Sequence, residues 1–223
     1  MRVGRAGAGL LLDLDGTLLD SEPVHQAAFR AYFATRGWDV ADDVVRQFAG
    51  RRAQEVFPTL DGPWAGEDPE LLTAAVLAAL ARSTLRPEPV PGAVRLLAAC
   101  ARSGLPVAVV TSATRGWVAA AWSLLGQGGP AVLSVTAEDC VRGKPDPEPF
   151  RRGSRLLGLR PQDLIAVEDS PAGIASGWAA GVGHLVGVTT TQDAAMLVTA
   201  GAHETGPDLL DLALAVEQLA ARD

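Results

Sequence analysis

Short apolar runs that stop abruptly at acidic or hydroxyl residues recur along this chain, and the segments between them carry helical periodicity. The first run is Gly9-Leu10-Leu11-Leu12-Asp13-Leu14. It is too short for a buried helix and reads as a buried strand, which Asp15-Gly16-Thr17 then breaks. After Pro87, Pro89 and Pro91 the same rhythm returns. Strands are expected over 106–110, 132–135, 164–167 and 184–188, separated by helices over 93–102, 115–125, 147–157 and 171–180, with two more at 193–199 and 208–220. Strands alternating with helices of about ten residues predict an α/β fold built on a doubly wound parallel sheet.

The block between the first strand and Pro87 has a different pattern. Ser21-Glu22-Pro23 has the makings of a helix start: a capping hydroxyl, an early acid and proline in the first turn. Helices are expected over 23–35, 41–48, 53–59 and 69–83, with no strand among them. The expected organisation is a core formed by 1–20 and 88–223, with a small all-helical cap, 21–87, inserted after the first strand.

Composition narrows the function classes. Of 223 residues, 48% are hydrophobic and 20% charged, a globular balance. A net charge of −7 argues against a nucleic-acid partner, because phosphate backbones are bound by basic surfaces. No apolar leader opens the chain, and no segment approaches the roughly 20 apolar residues that span a bilayer, so no membrane association is expected. Cys100 and Cys140 show no metal-ligand spacing and read as reduced thiols of a cytoplasmic protein. A monomer or a dimer is expected.

Ligands of doubly wound sheets bind beyond the carboxyl ends of the strands. The residues there are Asp13 and Asp15, then Thr111 and Ser112, then Glu168 and Asp169, with Lys144 at the head of a helix in Gly143-Lys144-Pro145. Singly, each has an ordinary explanation as a turn, a cap or a surface charge. Together they supply a nucleophile, hard oxygen ligands for a divalent metal, and donors for phosphoryl oxygens. Lys144 is the one lysine among 19 basic residues, which argues for a position that needs a compact ammonium.

Asp13-Leu14-Asp15-Gly16-Thr17, Val110-Thr111-Ser112, Gly143-Lys144-Pro145 and Val167-Glu168-Asp169-Ser170 resemble, in order and spacing, the four motifs of the haloacid dehalogenase-like hydrolases. The resemblance spans about 10–211. Asp20-Ser21-Glu22-Pro23-Val24-His25 and Ser170-Pro171-Ala172-Gly173-Ile174 resemble the helical-cap branch, which holds sugar phosphatases and beta-phosphoglucomutase, and 110–158 is most similar to glycerol-phosphate and 2-deoxyglucose-6-phosphate phosphatases. The resemblance implies an Mg²⁺-dependent phosphatase of a small phosphorylated metabolite, a sugar or polyol phosphate. Asp13 is then the covalent nucleophile and Asp15 the general acid and base. Asp13, Asp169 and the carbonyl of Asp15 hold Mg²⁺, Gly16 allows the turn, and Thr17 adds an oxygen donor. Thr111, Ser112 and Lys144 hold phosphoryl oxygens, while Glu168 supports Lys144 or metal-bound water.

In the cap, His25 is expected to face the site, and Glu22, Arg51 and Arg52 are candidates for meeting substrate. Trp38 and Trp64 are candidate substrate walls. Two other readings stay open: a sugar-phosphate mutase, and a receiver-like domain with a phosphorylatable aspartate. Against the mutase, the cap has no lysine for a second phosphate, which leaves an arginine such as Arg82 as the alternative. Dehalogenation is disfavoured, because enzymes of that kind lack an acid where Asp15 stands.

Overall fold

The computed structural model describes residues 9–126 and 133–220. The first eight residues, where no apolar leader is expected, and Val132, expected to open a strand, lie outside the described residues.

In chain order the elements begin with β1 (Gly9–Leu12), β2 (Leu19–Asp20), α1 (Glu22–Thr35), α2 (Asp42–Val45), α3 (Ala53–Val56), α4 (Pro69–Ala81) and β3 (Glu88–Pro89). They continue with α5 (Ala93–Ser103), β4 (Val107–Val110), α6 (Arg115–Leu124), β5 (Leu133–Val135), α7 (Glu148–Leu157), β6 (Leu164–Glu168), α8 (Pro171–Ala180), β7 (His184–Val188), α9 (Ala194–Ala200), β8 (Glu204–Gly206) and α10 (Leu210–Ala220).

Six strands form one sheet in the order β5-β4-β1-β6-β7-β8, and every pairing in it is parallel. Side chains of a strand alternate between faces, and here both faces are apolar. Leu10, Leu12, Val109, Ile165 and Val167 point into one core with α5, α6 and α10. Leu11, Ala108, Val110, Leu164 and Ala166 point into the other with α7 and α8, where Phe150 and Ile174 complete the packing. Because β1 is covered on both faces, all four of its residues are buried and its sequence reads as a continuous apolar run.

The chain passes from β1 to β4 and β5 on one side, then returns to β6 on the other. The strand order therefore reverses around β1, and a doubly wound sheet opens its ligand crevice at such a point. This placement brings Asp13, Thr111 and Glu168, at the ends of three adjacent strands, to one rim.

The helices between β2 and β3 bury a third cluster of their own, built on Phe29, Phe33, Phe48, Phe57, Trp64, Leu72 and Val76. They form a helical cap. Its entry and exit are tied by the antiparallel pair β2–β3, with Leu19 opposite Pro89. This pair and β8 are absent from the sequence reading, since strands of two or three residues show no periodicity. Two of the expected cap helices are also shorter: 42–45 and 53–56 are α-helical and continue as single 3-10 turns. Trp38 and Trp64 pack in the cap cluster, with Trp64 only 2% exposed, so neither forms a substrate wall.

Leu11 is fully buried at the centre of the sheet, whereas Leu71 on α4 is 70% exposed. Urea unfolding is expected to show Leu11→Ala losing about 2–5 kcal/mol, while Leu71→Ala stays within about 0.5 kcal/mol of wild type.

Candidate active site

Pairing between β1 and β6 runs one residue past the strand, where the Asp13 N–H donates to the Val167 carbonyl at 3.0 Å. The Asp13 side chain, 3% exposed, is thus fixed at the crevice floor. The chain then turns sharply, with the N–H groups of Leu18 and Leu19 both donating to the Leu14 carbonyl. Gly16 sits in this turn at φ +85°, and a side chain there would collide with the Asp169 carboxylate. Glycine serves both the left-handed backbone and the close approach of the two acidic loops.

Lys144 is fully buried beneath Asp13. It lies four residues ahead of α7 rather than at the helix head, because the turn through Asp146 intervenes. Its ammonium donates to Asp13 Oδ1 at 2.6 Å, to the Val110 carbonyl at 2.8 Å and to Glu168 Oε1 at 2.5 Å. Three protons meet three acceptors, so the ammonium is saturated. Glu168 is saturated as well: its Oε2 accepts from the N–H groups of Asp169 and Ser170 and from the Ser170 hydroxyl. Gly173 on α8 approaches so closely that any side chain there would overlap the Glu168 carboxylate.

Asp13, Glu168 and Asp169 each bring a carboxylate oxygen within 4.8 Å of the others. One lysine faces these three buried acids. Burial pushes the Asp13 carboxyl up to about 8 against the pull of Lys144, and Glu168 and Asp15 add to the rise. Burial and the charges of Asp13 and Glu168 likewise raise Asp169. Asp13 Oδ2 and Asp169 Oδ1 are buried with no hydrogen-bond partner. Two orphaned hard oxygens in an excess of buried negative charge suit a small divalent cation such as Mg²⁺. The Thr17 hydroxyl is buried and unpartnered in the same way.

Asp15 occupies a separate environment. Its Oδ1 accepts from the Ser21 hydroxyl at 2.6 Å and from the Trp117 indole N–H at 2.8 Å, and it pairs with His25 Nε2 at 3.0 Å. Its carboxylate is not part of the three-acid cluster. Burial opposes ionisation of Asp15, but the charge of His25 and these hydrogen bonds outweigh it and hold the carboxyl below its usual range. His25 moves the other way: burial lowers it, but the charge and hydrogen bond of Asp15, together with the charge of Glu22, outweigh burial and raise it. Ser21, expected as a helix cap, makes no side-chain cap bond and turns its hydroxyl to Asp15 instead.

Thr111 and Ser112 follow β4. Thr111 Oγ1 accepts from the Ala113 N–H at 3.0 Å, and the Ser112 hydroxyl donates to the cap carbonyl of Gly50 at 2.9 Å. Arg52 borders the substrate space but spends its terminal nitrogens elsewhere. It donates to the core carbonyls of Ala137 at 2.9 Å and Cys140 at 3.0 Å, and to Glu55 at 3.2 Å. Glu55 in turn accepts from the Gly143 N–H at 3.0 Å, next to Lys144. Cap and core are therefore clasped beside the lysine.

A cavity of about 170 Å³ lies between cap and core, lined among others by Asp13, Asp15, Glu22, His25, Arg51 and Trp117. One water needs about 10–15 Å³ on the same measure, so the space admits a small metabolite. Burial raises the Glu22 carboxyl, and Arg51 Nε is buried without a partner. Arg82 is exposed at the end of α4 and is not among the lining residues. Trp117 was not singled out from the sequence. The available signal was an aromatic three residues past the Thr114 cap, in the helix that follows Thr111-Ser112.

Known proteins resemble this chain in sequence and in fold. The sequence model of the haloacid dehalogenase-like hydrolases matches residues 8–181. Validoxylamine A 7'-phosphate phosphatase of Streptomyces hygroscopicus subsp. limoneus is 37% identical over 85% of this chain and 89% of its own. Hexitol phosphatase A of Escherichia coli is 38% identical over 83% of this chain and 84% of its own. A hydrolase from Pseudomonas syringae superposes with a TM-score of 0.84 at 23% identity, covering 95% of this chain and 98% of that one, which shows the shared fold. With four motifs in order, a family match across most of its length and a doubly wound sheet under a helical cap, the chain belongs to the haloacid dehalogenase-like hydrolases.

Proposed function

We propose that this enzyme hydrolyses a small sugar or polyol phosphate through a phospho-aspartyl intermediate on Asp13, with Mg²⁺ as its cation. The chain is a phosphoric monoester hydrolase, and its relatives include a hexitol phosphatase and a validoxylamine A 7'-phosphate phosphatase. The observation that carries the mechanism is the division of labour between two nearby acids. Asp13 is bonded to Lys144 in a cluster of three acids with that one cation, while Asp15 is bonded to His25 outside that cluster.

An oxygen of Asp13 attacks phosphorus, and the bond from phosphorus to the substrate oxygen breaks. Asp15 gives a proton to that oxygen, so an alcohol leaves. His25 Nε2, 3.0 Å from Asp15 Oδ1, stabilises the carboxylate left once that proton has gone. Water then attacks phosphorus and returns a proton to Asp15. The Asp13–phosphorus bond breaks, and inorganic phosphate departs. Lys144 holds the Asp13 carboxylate in place and offsets charge that gathers during transfer. Thr111 and the Ser112 amide take the phosphoryl oxygens, while Lys144, expected to bind them too, has its three protons engaged and acts through Asp13. Asp13, Asp169 and the Asp15 carbonyl hold Mg²⁺, which supplies charge neutralisation between the two anions when bound. Glu168, whose oxygens are already engaged, orients Lys144.

His25, Glu22 and Arg51 line the leaving-group side of the cavity. Arg82 stands outside it, which favours hydrolysis over mutase chemistry. A cytoplasmic protein acting on a free metabolite completes the reading. Among the described residues no helix is long and apolar enough to cross a membrane, and both cysteines are free.

A screen of sugar and polyol phosphates for phosphate release, ranked by kcat/KM, tests the substrate class. Turnover is expected with Mg²⁺ and without any bisphosphate activator, and EDTA is expected to stop it. A strict need for a bisphosphate would indicate a mutase. Asp13→Asn is expected to reduce turnover by at least about a thousandfold with its melting temperature preserved, and sustained turnover by that variant would refute the covalent route.

Lys144→Met leaves Asp13 and Glu168 buried without their shared cation. It is expected to lower stability by about 3–5 kcal/mol in urea unfolding without metal. Added Mg²⁺ is expected to recover part of that loss, and an effect of Mg²⁺ no larger than on wild type would count against the cluster as its site.

A further inference from the structure

We infer that Trp117 is a positioning residue for Asp15, fixing which of its two carboxylate oxygens exchanges a proton with the leaving group. This rests on the acid–base reading of Asp15 given above. Ser21, His25 and Trp117 all converge on Oδ1, at 2.6, 3.0 and 2.8 Å. Among the described residues no donor reaches Oδ2, and the side chain is 19% exposed on the cavity wall. Oδ1 is the anchored oxygen, and Oδ2 is the one left free to meet the substrate.

The three donors differ in kind. Ser21 and His25 come from the cap side of the chain, at the start of α1, whereas Trp117 comes from α6 of the core. A hydroxyl can rotate away, and an imidazole nitrogen donates or accepts according to its tautomer. The indole N–H can only donate. Its place is set by the core, because the Trp117 backbone N–H caps onto the Thr114 hydroxyl at 3.3 Å. The indole also meets the His25 ring edge-on, with centroids 5.4 Å apart and planes at 68°, so it braces the second donor. Trp117 thereby gives the acid a reference point in the core that does not depend on the cap.

The test uses leaving groups of different proton demand. An alkyl phosphate such as glycerol 1-phosphate or a hexitol 6-phosphate expels an alkoxide that must be protonated, while p-nitrophenyl phosphate expels a stable phenolate. The ratio kcat/KM covers the steps through departure of the leaving group, so it isolates the acid role. Trp117→Phe keeps an aromatic ring and removes the N–H. It is expected to lower kcat/KM on the alkyl ester about tenfold more than on p-nitrophenyl phosphate, a part of the full general-acid effect. Asp15→Asn, measured alongside, is expected to show the same selectivity at larger size. Equal losses on both esters for Asp15→Asn would remove the acid assignment itself. A selective Asp15→Asn with a Trp117→Phe that is unchanged, or that loses equally on both esters, would overturn the role of Trp117 alone. Equal loss by Trp117→Phe would mark the indole as packing.

Discussion

Lys144 is a fully buried ammonium whose three protons are divided between two acids and a strand carbonyl, and the geometry of the site follows from that arrangement. A buried charge is tolerated only when paired and hydrogen-bonded. Its acceptors come from the ends of β1, β4 and β6, three adjacent strands of the sheet. Satisfying the lysine therefore demands that these ends stay in register, which ties the chemistry to the sheet. Arginine, with five donors in a rigid fork, would bring more protons than this pocket can accept. That accounts for a single lysine persisting in a chain whose other cations are arginines.

The cap reaches the same lysine from the other side. Arg52 spends its guanidinium on core carbonyls and Glu55, and Glu55 accepts from Gly143, the residue before Lys144. Ser112 holds the carbonyl of Gly50. The loop 50–55 thus docks on the core at two of the four motif loops, while Arg51 between these anchors is left facing the cavity. Docking falls to Arg52, whose terminal nitrogens hold backbone carbonyls, while the Nε of both arginines is buried without a partner beside the cavity. Lid closure can complete a site in this way, since the contacts that seat the lid also order the residues beneath it.

Much of this was legible in the sequence because its signals are local. Apolar runs cut off by acids gave the strands and their catalytic ends, and the helical block stood out because it lacks any such run. Asp13, Lys144, Glu168 and Asp169 were readable because motif order and spacing carry them. What escaped were contacts between distant segments. Trp117 joins Asp15 across 102 positions, and no periodicity in α6 marks it. Arg51 and Arg52 are chemically identical neighbours beside the cavity, and only the fold decides that Arg52 is the one whose guanidinium reaches core carbonyls. Ser21 has a perfect cap sequence, yet a buried carboxylate competes for its hydroxyl and takes it. The pair β2–β3 was missed because two-residue strands are set by the need to close the base of the cap rather than by pattern.

Two aspartates separated by a single residue end in opposite electrostatic states, and the cause lies in what surrounds each. Both are desolvated, which alone would raise both. Asp13 shares its one cation with a second acid and lies beside a third, so burial prevails and its carboxyl rises. Asp15 faces an imidazole and two further donors, so the charge of His25 and the hydrogen bonds together prevail and its carboxyl falls. The turn at Gly16, by letting the chain double back, carries the second acid out of the first one's cluster and into reach of α1 and α6. Acid–base chemistry and nucleophilic chemistry need carboxylates with different proton affinities, and here one tight turn after a strand separates them.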